Sequence, residues 1–222
     1  MHISICRIDG VSEQDVERAL ECLSLAGLNV NECARLRGIR HLRARAASVG
    51  ARLALLRALT GEQEGLAVHD FSDLPTFDGK PLAGFARNES GAPHLEGGNA
   101  AISFAHSDRL AICALSHQGR IGVDVEPLDR RITRAEDIAN RYFSTGEQAL
   151  LAASADRCAD FLRIWTRKEA LGKALGTGLN TAAERLDTTK YDSSFFETET
   201  EIVVEESLVS VCVLREPQEV SV

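Results

Sequence analysis

The chain has 222 residues, of which 44% are apolar and 26% charged, and a formal net charge of −8. That length buries a sizeable core in one large or two small domains, and the acidic balance argues against nucleic acid as a partner, because phosphate backbones reward a basic surface. Cys6, Cys22, Cys33, Cys113, Cys158 and Cys212 are scattered, with no Cys-x-x-Cys pair and no histidine at zinc-finger spacing, so they read as buried, reduced thiols rather than a zinc or redox site.

Met1 to Cys6 lack the basic start and apolar run of a signal peptide, and no later stretch approaches a membrane span; a cytoplasmic location is expected. Met1 to Ile8 alternates and reads as a strand. Ser12-Glu13-Gln14-Asp15 reads as a serine-capped helix start, with the helix running to about Ser24. From Asn31 to Leu59 the apolar residues Leu36, Ile39, Leu42, Ala46, Val49, Leu53 and Leu56 recur every three or four positions, which predicts one amphipathic helix. Its other faces carry Arg35, Arg37, Arg40, Arg43, Arg45, Arg52 and Arg57, with no acid between Cys33 and Gly61. Such a stretch serves equally as a solvated helix face or as the seat of a small anionic ligand.

Gly65 to Gly98 holds Pro75, Pro81 and Pro93 together with Gly79, Gly84, Gly91, Gly97 and Gly98, and is expected to be mainly loop with at most a short strand. Ala101–Phe104 and Leu110–Ser116 read as strands, 117–120 as a turn and Ile121–Glu126 as a third strand. Helices are expected over Arg134–Phe143, Thr145–Ala153 and Asp160–Leu175, and a closing antiparallel pair over Glu197–Glu205 and Leu208–Leu214. The order predicts an α+β protein of two halves, 1–98 and 99–222.

In Ile121-Gly122-Val123-Asp124-Val125-Glu126, strand alternation places Asp124 and Glu126 on one face. Alone, this is a half-exposed strand with a polar outer side. Two like charges so placed also suit a hard divalent cation, and Gly122 leaves room for a close approach. Further on, Trp165-Thr166-Arg167-Lys168-Glu169-Ala170 puts Glu169 and Lys173 on one helical face, which by itself reads as a surface ion pair. Gly176-Thr177-Gly178-Leu179 follows as a helix stop and turn.

Together and in this order, these segments resemble the signature of the 4′-phosphopantetheinyl transferases, and the chain length resembles the long, monomeric Sfp type, a pseudo-dimer of two similar α+β halves. The resemblance covers Ile102 to Leu179. It implies transfer of 4′-phosphopantetheine from coenzyme A to a serine of an apo acyl, peptidyl or aryl carrier protein, with release of adenosine 3′,5′-bisphosphate. It also implies Asp124, Glu126 and Glu169 as ligands of Mg²⁺, or of Mn²⁺, and Glu169 as acceptor of the serine proton. Lys168 and Lys173 would lie on the coenzyme pyrophosphate. His106, within Ser103-Phe104-Ala105-His106-Ser107, would contact the 3′-phosphate, and Arg45 or, less closely matched, Arg40 the adenylate end.

Two departures stand out. Ala105 replaces a serine of the family pattern, and Gly91-Ala92-Pro93 lacks its cation; Gly79-Lys80-Pro81 has the letters at another spacing. They motivate an alternative, a non-catalytic module that binds coenzyme A or a carrier protein. Carboxylates with lysines alone would also suit a metal-dependent phosphohydrolase.

Overall fold

The computed structural model describes residues 1–61, 65–178, 187–188 and 196–215, without the side chains of 196–200 and 215. The chain divides into two compact α+β units, Met1–His117 and Gln118–Val222.

In the first unit, β1 (His2–Arg7) runs parallel to β2 (Gly65–Asp70) and antiparallel to β6 (Leu110–Ser116); β5 (Ala101–His106) joins the far side of β6, giving the order β2-β1-β6-β5. All of β6 is buried, so its sequence is a nearly unbroken apolar run rather than an alternating one. Three helices cover the sheet: α1 (Glu13–Leu25), α2 (Val30–Arg37) and α3 (Leu42–Thr60). The Ser12 hydroxyl accepts the Asp15 amide while the Asp15 carboxylate accepts the Ser12 amide, which closes a capping box at the start of α1. Gly50 brings α3 close to the sheet, because a Cβ there would stand 3.0 Å from Ala111 Cβ and 3.0 Å from Ile8 Cγ2. Val16, Leu20 and Leu23 of α1 and Val49, Leu53 and Leu56 of α3 fill the core between them.

The single helix expected over 31–59 is two. α2 stops at Gly38, and α3 begins after His41. The apolar spacing continues across the break, so periodicity alone could not reveal it. The stretch 65–98, expected as mainly loop, holds three strands: β2 and the hairpin β3 (Phe85–Arg87) with β4 (Pro93–Leu95). Strands of three residues show little alternation, and the partner of β2 lies some sixty residues upstream.

In the second unit, β7 (Gly119–Pro127) and β8 (Phe196–Val204) both pair antiparallel with the central β9 (Ser207–Arg215). The helices are α4 (Ala135–Tyr142), α5 (Thr145–Ala153) and α6 (Arg157–Leu175). Phe161 and Trp165 of α6 stack on one another, and Trp165 meets Tyr142 edge-on, which binds α4 to α6. α6 ends at Gly176 with φ 73°, a left-handed cap that glycine takes without strain.

β6 is laddered to β1 and β5 to β6, so both strands belong to the first sheet, and the two units meet in sequence at 117/118. All six cysteines are free and only Cys158 is exposed. No helix among the described residues is long and apolar enough to cross a membrane.

Candidate functional site

The second unit builds its polar centre where α6 crosses β7. Gly122 sets the spacing: a Cβ at that position would stand 1.8 Å from Ala170 O and 2.6 Å from Ala174 N, so the helix backbone rests directly on the strand. Alternation then turns Asp124 to the same side as Gly122, toward α6. Lys173, on the last turn of α6, donates from Nζ to Asp124 Oδ1 at 2.8 Å and to Val123 O at 2.9 Å.

Asp124 is only half satisfied. Its Oδ2 is buried and has no hydrogen-bond partner among the described residues. Burial pushes the Asp124 carboxyl above its ordinary value, against the opposing charge and hydrogen bond of Lys173. Glu169, one turn before Lys173, is close enough to feel this charge: burial and then the Asp124 carboxylate push it up, while Lys173 and Arg130 pull it down. Glu126 is nearly buried, and Arg130, four residues on, donates to its Oε1.

Among the described residues no group of three His, Cys, Asp or Glu side chains is placed to hold an ion; Lys173 bonds Asp124, and Arg130 bonds Glu126. The donor chemistry nevertheless suits a hard divalent cation, because a buried carboxylate oxygen without a partner among the described residues lies within electrostatic reach of a second carboxylate, and burial disfavours the charged form of both.

Lys168 is fully buried, with Nζ 2.9 Å from Glu147 Oε2, which is also fully buried. Periodicity along α6 could not show this, since the partner sits on another helix. The Ser144-Thr145-Gly146-Glu147 capping box was legible in the sequence and would have flagged Glu147. Arg130 also escaped the sequence reading, although its i+4 spacing from Glu126 hinted at it.

Arg45 and His106 belong to the first unit. The Arg45 guanidinium donates to Glu13 from α3, and Arg40 is exposed in the turn between α2 and α3. His106 closes β5, on the strand face of Phe104, while Ala105 is buried on the opposite face. Lys80 sits in a turn, its Cβ packed near Gly27. Leu179, the last residue of the second motif, lies outside the described residues.

Residues 120–209 match the family model described as the 4′-phosphopantetheinyl transferase superfamily. The 4′-phosphopantetheinyl transferase HetI of Nostoc sp. is 33% identical over 141 residues, 63% of this chain and 54% of the relative. The 4′-phosphopantetheinyl transferase AcpT of Salmonella typhi is 35% identical over 99 residues, 43% of this chain and 51% of the relative. The chain thus spans about half the length of these curated relatives. Among solved structures, holo-[acyl-carrier-protein] synthase of Thermotoga maritima matches 45% of this chain and 65% of that chain at 25% identity, with a TM-score of 0.34.

Proposed function

We propose, from the match of residues 120–209 to the 4′-phosphopantetheinyl transferase superfamily and the likeness to HetI, that this protein is a member of that superfamily and moves the phosphopantetheine arm of coenzyme A onto a serine of an apo carrier protein. The observation that carries the reading is the buried Asp124, bonded to Lys173 through one oxygen and unpartnered at the other, with the Glu169 carboxylate beside it. An acid pair held against its own repulsion, next to an ammonium, is an arrangement that stability alone does not explain.

In this reading the serine Oγ attacks the phosphorus that bears pantetheine. The bond from that phosphorus to the bridging oxygen breaks, and adenosine 3′,5′-bisphosphate leaves. Glu169 accepts the serine proton; burial and the neighbouring Asp124 carboxylate raise its basicity, the direction that task asks for. The Lys173 ammonium faces the departing phosphate and offsets the charge that develops there. Asp124, Glu126 and Glu169 would hold Mg²⁺, which supplies further positive charge for the phosphoryl oxygens when bound. Arg45 and His106 are proposed for the nucleotide end of coenzyme A. The protein is read as a monomer acting in the cytoplasm on an acyl, peptidyl or aryl carrier.

Incubation with coenzyme A, Mg²⁺ and a panel of apo carrier proteins should add the phosphopantetheine mass to a serine-containing peptide. Bound coenzyme A without any mass shift across the panel would sink the transfer reading. It would favour a second one, a coenzyme A or carrier-binding module, for which the arginine already seated on Glu126 is the specific support.

A further inference from the structure

Behind the acid cluster, on a different side of α6, lies a buried ion pair that the transfer chemistry does not use. Glu147 receives four donors: Lys168 Nζ at 2.9 Å and the Ser144 amide at 2.7 Å on Oε2, and the Thr188 amide at 2.8 Å and hydroxyl at 2.6 Å on Oε1. One carboxylate thereby joins α6, the first turn of α5 and Thr188 in the chain that follows α6. Gly146 supports the same junction, because a Cβ there would stand 2.2 Å from Asp187 Oδ2.

Burying two opposite charges costs several kcal/mol of desolvation and often stabilises no more than apolar side chains of the same volume. What such a pair supplies is geometry. α6 is already held on its sheet side by Gly122 and by the Thr166 and Ser210 hydroxyls, 2.8 Å apart. Lys168 holds it from α5. A helix gripped from two directions cannot roll about its axis, and Glu169 is the residue next to the grip.

We propose that Lys168 and Glu147 are positioning residues that fix the roll of α6 and so present Glu169 to Asp124, a role that rests on the transferase reading above. Side-chain atoms lie about 5–6 Å from a helix axis, so a roll of roughly 10° displaces a carboxylate by about 1 Å. A misplacement of that size at a reacting group costs up to ~10²-fold in rate.

The test is the double variant Lys168→Met/Glu147→Gln, which removes the charged tie between α5 and α6 yet leaves a side-chain carbonyl on α5 able to accept from Thr188 or Ser144. With circular dichroism unchanged, kcat should fall about 10-fold or more while KM for coenzyme A stays within about twofold. Amide exchange across 168–173 should quicken by a similar factor. Unchanged kcat and unchanged exchange in the folded variant overturn the proposal. So does a raised KM for coenzyme A with kcat intact, which would put Lys168 against the coenzyme. Should the double variant fail to fold, Thr188→Val, which removes one bond to Glu147, must quicken the same exchange, and unchanged exchange there overturns the proposal too. If the wild type transfers nothing to any carrier, the functional reading fails on its own, and the exchange measurement still decides the positioning role.

Discussion

In the first unit, Glu32 accepts two hydrogen bonds from Arg35 at 2.8 and 2.9 Å and two from Arg52 at 3.1 and 2.8 Å, with Arg87 at 3.4 Å completing the ring of donors. Arg52 in turn lies 4.7 Å from the Phe104 ring centroid, with its charge over an aromatic face. Burial alone would raise the Glu32 carboxyl, but the three guanidiniums outweigh it and hold it at about 2. In the second unit the balance runs the other way: Asp124 and Glu169 are pushed up, and one buried oxygen has no partner among the described residues. A carboxylate with more cations than it needs holds structure together. A pair of carboxylates with too few is poised to take up positive charge from a ligand.

The largest effect that would break this comparison is on rate. Glu169→Gln removes the proposed proton acceptor and should lower transfer by about 10³-fold or more, while the midpoint of unfolding holds or rises, because a like-charge repulsion with Asp124 disappears. Full turnover in the folded variant would take Glu169 out of the chemistry, and with it the contrast between the clusters.

Next in size is the structural cluster. Glu32→Gln leaves Arg52, 3% exposed, without a countercharge, and should cost about 3 kcal/mol in urea unfolding followed by circular dichroism. The linkage has a definite sign. Because the folded Glu32 is depressed to about 2 from 4.5, its stabilisation is present above pH 4.5 and drains away as pH falls toward 2. The wild type should therefore lose stability through that window more steeply than Glu32→Gln; parallel curves would show that the arginines do not act through this carboxylate. Asp124 and Glu169, with raised folded values, contribute the opposite slope, in that rising pH charges them at the expense of the fold.

A smaller shift should come from metal. At about 100 times its dissociation constant, Mg²⁺ stabilises a protein by roughly 2.7 kcal/mol through mass action alone. Thermal unfolding read by Trp165, the single tryptophan and a reporter of the second unit, should rise with Mg²⁺ in the wild type and in Glu32→Gln but not in Asp124→Asn. An equal rise in Asp124→Asn would place the ion elsewhere.

The second unit was the more legible in sequence because its elements carry their own signals. The alternation of Ile121, Val123 and Val125, the motif around Glu169, and two Val-rich strands each stated their place, and Asp124 and Lys173 do meet. The first unit hid its break at Gly38 inside a continuing apolar period, and β3 and β4 in strands too short to show one. What stayed illegible in both units was pairing over distance. Lys168 reads as one more helix cation until α5 brings Glu147 to it, and Glu32 reads as one acid among arginines until three of them converge on it. Periodicity reports the face of an element, whereas a buried charge is decided by which other element covers that face.

The smallest prediction uses one local motif that occurs in both units. Ser12 with Asp15 and Ser144 with Glu147 form the same capping box, each serine hydroxyl accepting the amide three residues on. At Ser12 the box is exposed, so in Ser12→Ala water takes over the abandoned amide, and the loss should be about 1 kcal/mol or less. At Ser144 the amide belongs to Glu147, whose side chain is fully buried in the ion pair with Lys168. Water has poor access there, and an amide left without an acceptor costs about 1–3 kcal/mol, so Ser144→Ala should be the more damaging of the two in denaturant midpoints. Equal losses would mean that the junction of α5 with α6 is wetter than its burial implies, and the grip on α6 correspondingly looser.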